Sequence, residues 1–193
     1  MKPTYDHKQG AAPVLSLAKL VASLCALWLV ANPAHAQSTS NADAQTVLLD
    51  PLTLAKLSDM DFGDLLVTTG GTVVLSADSV TTCVATGGVV HTQECQPATF
   101  TGSGMSGLVV RVNRPIGRTI TLTGPGDDMI VTDLAIDGGA TLNLVNSNPD
   151  WERFQINTLD GIFIFRVGGT LNVNPNQLPG VYSGSFDIRI DYQ

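Results

Sequence analysis

Residues 180–193 read "GVYSGSFDIRIDYQ", and the alternation within this stretch decides the fold class. The even-numbered positions from Tyr182 to Tyr192 carry apolar or aromatic side chains or glycine, whereas the odd-numbered positions from Ser183 to Gln193 are polar or charged. Because successive side chains of a strand point to opposite faces, this pattern predicts a strand with one buried face and one solvated face. The residues expected on the buried face are Phe186, Ile188, Ile190 and Tyr192.

The rest of the chain beyond the N-terminal segment also has a pattern typical of β-strands. Its apolar runs are short, rich in Val, Ile, Leu and Thr, and bounded by Gly, Pro, Asn or Asp, and none shows a helical period over eleven residues. Many short strands separated by turn residues are typical of an antiparallel sandwich or barrel. The predicted strands are 45–56, 64–68, 72–77, 80–86, 89–94, 97–101, 107–112, 118–122, 129–136, 140–145, 153–158, 162–167, 170–174 and 181–192.

Glycine and proline pairs supply the predicted turns between these strands. They are Gly70-Gly71, Gly87-Gly88, Gly124-Pro125-Gly126-Asp127, Gly138-Gly139, Gly168-Gly169 and Pro179-Gly180. The polar segment 146–152, "NSNPDWE", is expected to be a loop, with Trp151 covering an edge of the core.

The N-terminal segment has the pattern of a secretory signal peptide. Three lysines precede an apolar run at 20–31, and Ala34 and Ala36 form an A-x-A cleavage site. The alternative is a membrane anchor, but twelve helical residues span only about 18 Å of a hydrocarbon core of about 30 Å. The sequence therefore predicts a signal peptide at 1–36, and export through a periplasm toward the cell surface.

The remaining 157 residues, 37–193, are enough for one domain with a real core. Residues 37–44, "QSTSNADA", are predicted to be a flexible leader, and 45–193 a single β-sandwich domain. Seven Arg and Lys against sixteen Asp and Glu give 37–193 a net charge of −9, which disfavours nucleic acid and anionic lipid as partners. No later run is long enough to cross a membrane as a helix.

Cys83 and Cys95 are the cysteines that remain after the signal peptide. An even cysteine count in an exported chain predicts one disulfide, worth about 3 kcal/mol by chain entropy. The alternatives are two free thiols or a metal pair, for which only His91 is nearby. A two-residue turn at Gly87-Gly88 would place Cys83 opposite Thr92, so the bond needs a loop centred near Val89 or a bulge.

Chemistry-bearing motifs are sparse. His91 lies between the cysteines with no nucleophile motif around it, and Asp59, Asp61 and Asp64 lack the rest of a calcium loop. The sequence has no phosphate loop, zinc spacing or nucleophile elbow. These observations favour a protein that is not an enzyme and needs no cofactor or metal.

The predicted first strand, 45–56, "AQTVLLDPLTLA", lies near the other end of the domain. Pro51 interrupts its hydrogen-bond ladder, and both of its faces are partly apolar. Exposed strand edges are hazards unless they are used, and strand addition between subunits uses them. Val47 and Leu49 are the side chains expected to plug a neighbouring subunit.

Five fragments in order resemble bacterial domain-of-unknown-function family 4402, along nearly the whole of 45–193. They are "LSDMDFGDLLV" (57–67), "GGTVVLS" (70–76), "PATFTGSG" (97–104), "VGGTLNV" (167–173) and "LPGVYSGSFDIRIDY" (178–192). The cysteine pair and the length of 80–95 depart from that family's usual pattern.

The closing stretch also resembles the last strand of chaperone–usher pilins, including the spore-coat-protein-U type. The shared features are the alternation, the near-terminal aromatic Tyr192 and the early Phe62-Gly63 pair. This resemblance implies an incomplete immunoglobulin-like sandwich. A periplasmic chaperone would pair with 182–192, an usher would assemble the subunits, and an N-terminal extension of the next subunit in a homopolymer would fill the groove. A strand at 45–50 could instead complete its own domain.

Two functions follow as hypotheses. The first is a secreted, pilus-like structural subunit of a Gram-negative bacterium, assembled by β-strand complementation. The second is a self-contained binding module for glycans or a host protein, for which Trp151 and Phe154 are the aromatic candidates.

Overall fold

The protein is an antiparallel β-sandwich, as the alternation predicts. A computed structural model describes residues 43–193, so the predicted signal peptide and most of the predicted leader lie outside the described residues. The described chain forms β1 (Thr53–Ser58), β2 (Leu65–Leu75), β3 (Cys83–His91), β4 (Ala98–Ser103), β5 (Val109–Asn113), β6 (Ile120–Leu122), β7 (Met129–Asp137), β8 (Leu142–Asn148), β9 (Trp151–Ile156), β10 (Ile162–Val173) and β11 (Arg189–Tyr192). One short 3₁₀ turn, Ile116–Arg118, precedes β6. Over this part of the chain, no helix has the length and hydropathy needed to cross a bilayer.

The strands form two sheets with antiparallel pairing throughout. In the first sheet the order is β1-β4-β10-β2-β3, and β7 pairs with β10 and with β6. In the second sheet the order is β11-β5-β9-β8. The central strand β10 pairs with β4, β2 and β7, so it organises the first sheet.

Two apolar clusters form the core. The first contains residues of both sheets, among them Val110, Phe154 and Phe163, and the second contains residues of β2, β3, β6, β7 and β10, such as Val73 and Leu171. Met60 and Phe186, which are only partly buried, pack against both clusters. These two side chains therefore lie where the two halves of the core meet.

Three glycine pairs that we expected to be turns instead lie inside long strands. Gly70-Gly71, Gly87-Gly88 and Gly168-Gly169 belong to β2, β3 and β10. A Cβ atom on Gly71 would lie 2.1 Å from the Thr86 carbonyl oxygen, and one on Gly168 would lie 2.4 Å from that of Leu75. Glycine is needed there because another strand approaches closely, a use that the sequence does not distinguish from a turn.

Both ends of the domain differ from the predicted strands. The first strand is Thr53–Ser58 rather than 45–56, because Pro51 donates no ladder bond and the partner strand β4 ends at Ser103, opposite Thr53. The last strand is Arg189–Tyr192 rather than 181–192, with one further bridge between Ser183 and Thr123. The intervening residues have no ladder partner because the chain opposite them turns away in the 3₁₀ turn.

The segment 146–152 is a tight hairpin, not the loop that its polar composition predicts. Strand β8 continues to Asn148 and β9 begins at Trp151. The Asn148 side chain accepts a hydrogen bond from the Asp150 backbone N–H at 2.8 Å, which satisfies the turn locally. A polar run can thus be a strand when it lies at the edge of a sheet, as β8 does.

Candidate functional site

A deep groove opens between the N-terminal and C-terminal segments of the domain. Its volume is about 830 Å³, and its walls come from 56–67 on one side and 177–186 on the other. We call this space the groove. Its apolar floor includes Phe62, Phe100, Ile120, Val131, Leu171 and Phe186.

The floor belongs to the core of the sandwich. Val131 is 0% exposed and Leu171 is 1% exposed, although both line the groove. Strand alternation on β7 and β10 directs these side chains inward. The groove is therefore lined by residues of the hydrophobic core and extends into it, unlike a shallow surface depression.

The C-terminal rim follows the alternation on which the sequence prediction rests. Phe186 lies edge-on to Phe100, with ring centroids 6.5 Å apart and planes at 74°, an arrangement that aromatic rings favour. Beyond the bridge at Ser183, the backbone groups of 184–188 make no hydrogen bond to any described residue. The rim thus presents a segment of backbone without hydrogen-bond partners beside an unfilled part of the core.

Backbone hydrogen bonds join the N-terminal rim to the segment that leads to β4. Asp61 and Gln96 exchange two backbone hydrogen bonds of 2.8 Å, and the Asp64 carbonyl accepts one from the Thr92 N–H. Gly63 has a φ of 69°, in the left-handed region that favours glycine. This local turn directs Phe62 into the core, where it is 7% exposed.

The six residues predicted for assembly are divided between two places. Phe186, Ile188, Ile190 and Tyr192 pack along one face against the first core cluster, and of these Phe186 lines the groove. Val47 and Leu49 lie outside the groove and are 74% and 48% exposed. Residues 45–50 form no strand in this structure.

Two tyrosine hydroxyls fix the C-terminal segment at its ends. Tyr182 accepts a hydrogen bond from the Gly126 N–H at 3.0 Å and donates one to the Leu178 carbonyl at 2.8 Å. Tyr192 accepts from the Met105 N–H at 2.8 Å and donates to the Asp50 carbonyl at 2.9 Å. The segment is thereby held at both ends, and 184–188 between them stays unpaired.

Sequence reasoning did not find the groove residues of the other elements. Met60, Phe100 and Ile120 come from distant parts of the chain, and only the tertiary fold brings them together. The Phe62-Gly63 pair was noted as a resemblance, but its place at the rim depends on the bridge between Asp61 and Gln96. The parity of 182–192 was the one signal that pointed to this site.

The predicted disulfide between Cys83 and Cys95 is present, with Cα atoms 6.4 Å apart. Gly87-Gly88 is not a turn but part of β3, and the ladder of β3 with β2 shifts register between Val67 and Gly71. A ring nitrogen of His91 and the two sulfurs lie within 4.8 Å of one another, and the imidazole Nε2 is buried without a hydrogen-bond partner. Because the sulfurs are bonded to each other, neither is available as a thiolate ligand for a metal.

Comparison with known protein families identifies the family of this domain. The family described as "Domain of unknown function (DUF4402)" covers residues 52–192, which is most of the chain. The chain belongs to the DUF4402 family. No curated protein and no solved structure matches it. The matched range confirms the first resemblance that the sequence fragments suggested.

One buried ion pair lies in the DUF4402 domain away from the groove. The Arg114 guanidinium contacts the Glu152 carboxylate, and it donates to the Leu134 and Asn148 carbonyls at 2.8 Å. Both side chains of the pair are only 10% exposed. Burial raises the pKa of Glu152 above its ordinary value, outweighing the opposite effect of the Arg114 charge and hydrogen bond.

The two aromatic side chains considered for ligand binding differ in exposure in the DUF4402 domain. Phe154 is 2% exposed and belongs to the first core cluster, so it is wrong as an exposed platform. Trp151 is half-buried on β9, and the Arg153 guanidinium carbon lies 4.6 Å from its ring centroid.

Proposed function

We propose that this protein is an exported, non-enzymatic structural subunit that assembles by β-strand complementation. The observation that carries the proposal is the unpaired backbone of 184–188, of which residues 184–186 line the open groove. An extended peptide laid along that edge would pair its backbone with the rim and place alternate side chains in the gap. The immunoglobulin-like, pilin-like character of the sandwich is part of the same proposal.

The donor in this proposal is the N-terminal extension of a second copy. Val47 and Leu49 share one parity of the extended chain and are exposed in the subunit itself. Fully burying a side chain of this kind contributes about 1.5–3 kcal/mol. Pairing across the unpaired rim adds backbone hydrogen bonds to that gain.

Pro51 keeps the extension out of its own first sheet. Proline has no backbone N–H to donate to a ladder, and the ladder with β4 begins only at Thr53. From Leu49 to Thr53 the chain spans at most about 13 Å. A donor therefore stays close to the domain that supplies it, and successive subunits would be closely linked.

The partners in this proposal follow from the exposed edge. An unpaired strand beside an apolar groove is prone to uncontrolled pairing, so a periplasmic chaperone would cover 182–192 until assembly. An usher would exchange the chaperone for the next subunit at the surface of a Gram-negative bacterium. The resulting homopolymer would lie outside the cell.

The experiment compares oligomers of the purified protein with those of a double variant, Val47→Asp with Leu49→Asp. We expect the wild-type protein, coexpressed with its chaperone and then concentrated, to give a ladder on an unboiled denaturing gel. We expect the double variant to stay monomeric, because a buried aspartate without a partner opposes insertion.

The matched control is Leu48→Asp, at the most exposed apolar position of the same extension. Leu48 has the opposite parity, so its variant should still form the ladder. A wild-type protein that stays monomeric at high concentration in all conditions would contradict the proposal. So would equal ladders from the double variant and the wild type.

A further inference from the structure

The outward face of the second sheet carries an unusual concentration of positive charge. Val110, Val112, Phe154 and Ile190 point into the core, so Arg111, Arg153 and Arg189 point away from it. We call this surface the arginine face. It holds three of the seven basic residues that follow the predicted signal peptide, in a chain whose net charge is −7.

Arg111 and Arg153 are direct neighbours across the β5–β9 ladder. Residues opposite each other in an antiparallel pair have Cβ atoms about 5 Å apart, and like charges in such positions destabilise the sheet. Asp191, on the other side of Arg111, is the only acid among the outward ladder residues of this sheet, and its carboxylate lies 3.5 Å from the Arg111 guanidinium. The arginine pair therefore keeps a surplus of positive charge.

Arg153 itself has neutral partners only. It lies over the Trp151 ring, and its Nη2 donates to the Gln193 side-chain oxygen at 3.2 Å. No carboxylate of the described chain lies within ion-pair distance of it. A guanidinium that is stacked on an aromatic ring is held in place for a planar anion such as a carboxylate.

The surroundings of the pair are suited to hydroxyl groups as well as to an anion. Asn113, Asn146 and Gln155 lie on the same face, and each amide can both donate and accept. Trp151 adds an amphipathic ring that can pack against the apolar side of a sugar. Flat amides, arginines and one indole on an open strand surface fit a carboxylated glycan better than a peptide, which needs an edge or a groove.

We propose that the arginine face binds a polysaccharide containing uronic acids. Arg111 and Arg153 hold a carboxylate, Trp151 packs against a neighbouring sugar ring, and the amides bond hydroxyl groups. This surface is distinct from the groove, so the inference does not depend on strand complementation. It assigns a binding role to an outer surface that assembly through the groove would leave uncovered.

The test measures binding of the full chain to oligouronates by titration calorimetry at low salt. We expect Arg153→Gln to weaken binding about tenfold, which corresponds to about 1.4 kcal/mol, and Trp151→Ala to weaken it by a similar factor. Arg166→Gln, which removes the same charge from a strand of the first sheet, should change the affinity less than twofold. An unchanged melting temperature in each variant would show that the fold is intact.

The probes separate glycan binding from general attraction to anions. A neutral dextran should not bind, and polyglutamate of similar length should bind at least tenfold more weakly than the oligouronate. Equal binding of polyglutamate would overturn the assignment to a glycan. Lack of oligouronate binding by the wild type, or full binding by Arg153→Gln, would overturn the site itself.

Discussion

The Tyr192 hydroxyl connects two backbone groups that are far apart in sequence. It accepts from the Met105 N–H and donates to the Asp50 carbonyl, so it ties the last strand to the start of the domain. We expect Tyr192→Phe to lower the free energy of unfolding by about 1–3 kcal/mol, because it leaves a part-buried N–H unsatisfied. Urea denaturation of both proteins measures this loss. A change below the error of the measurement would show that water replaces the hydroxyl.

Glu152 gives the folded state a pH dependence of definite sign. Its pKa is raised in the folded protein, so the unfolded state releases this proton more readily. The stability due to Glu152 is therefore fully present below its ordinary pKa of 4.5 and is lost as the pH rises through the raised folded value. Unfolding free energies at a series of pH values should show wild type losing stability relative to Glu152→Gln over that window.

The control for this experiment is Glu94→Gln, which removes the same charge from an exposed side chain. Any effect on stability that comes only from the loss of one negative charge should appear in both variants, so the Glu94→Gln result can be subtracted. If wild type instead gains stability relative to Glu152→Gln as the pH rises, the direction of the pKa shift is wrong.

The disulfide joins the first residue of β3 to the segment that follows this strand. Cys83 and Cys95 are 12 residues apart, and closing a loop of that length contributes about 3 kcal/mol by chain entropy. We expect the variant Cys83→Ser with Cys95→Ser to lose about that much stability in urea denaturation. A reducing agent should lower the melting temperature of the wild type and leave that of the variant unchanged.

The elements were largely predictable where apolar and polar residues alternate. The predictions failed where a residue type has two structural uses, as with the glycine pairs of β2, β3 and β10. Gly71 and Gly168 are required by close approach of another strand, whereas Gly138-Gly139 does form the predicted turn between β7 and β8. Local sequence does not separate these cases because the approaching strand comes from elsewhere in the chain.

The candidate site was predictable only in part, for a reason that belongs to the whole molecule. The parity of 182–192 identified the face that packs on the core, including Phe186 at the groove. The residues on the floor of the groove could not be predicted, because they come together only through the pairing of β10 with β7, which a single sequence does not reveal. The arginine face likewise exists only because β5 and β9 are neighbours in register.

Assembly through one donor and one acceptor makes a prediction about mixtures. A copy with Val47→Asp and Leu49→Asp keeps its groove but donates nothing, so it should end the chain that it joins. We expect a small fraction of this variant, mixed with wild type during assembly, to shorten the polymers seen by electron microscopy. The Leu48→Asp variant in the same proportion should leave their length unchanged.

Tyr192 and the groove lie at opposite ends of the C-terminal segment, and this separation has a mechanical consequence for the proposed polymer. The donor segment leaves the domain beside Tyr192, whereas the acceptor rim begins near Tyr182, and ten residues of extended chain span at most roughly 33 Å. Contacts of this head-to-tail kind give an open fibre unless the rotation between subunits closes a ring, and an open fibre would have two unlike ends. Tension along it would shear many backbone bonds at once rather than peel them apart one by one.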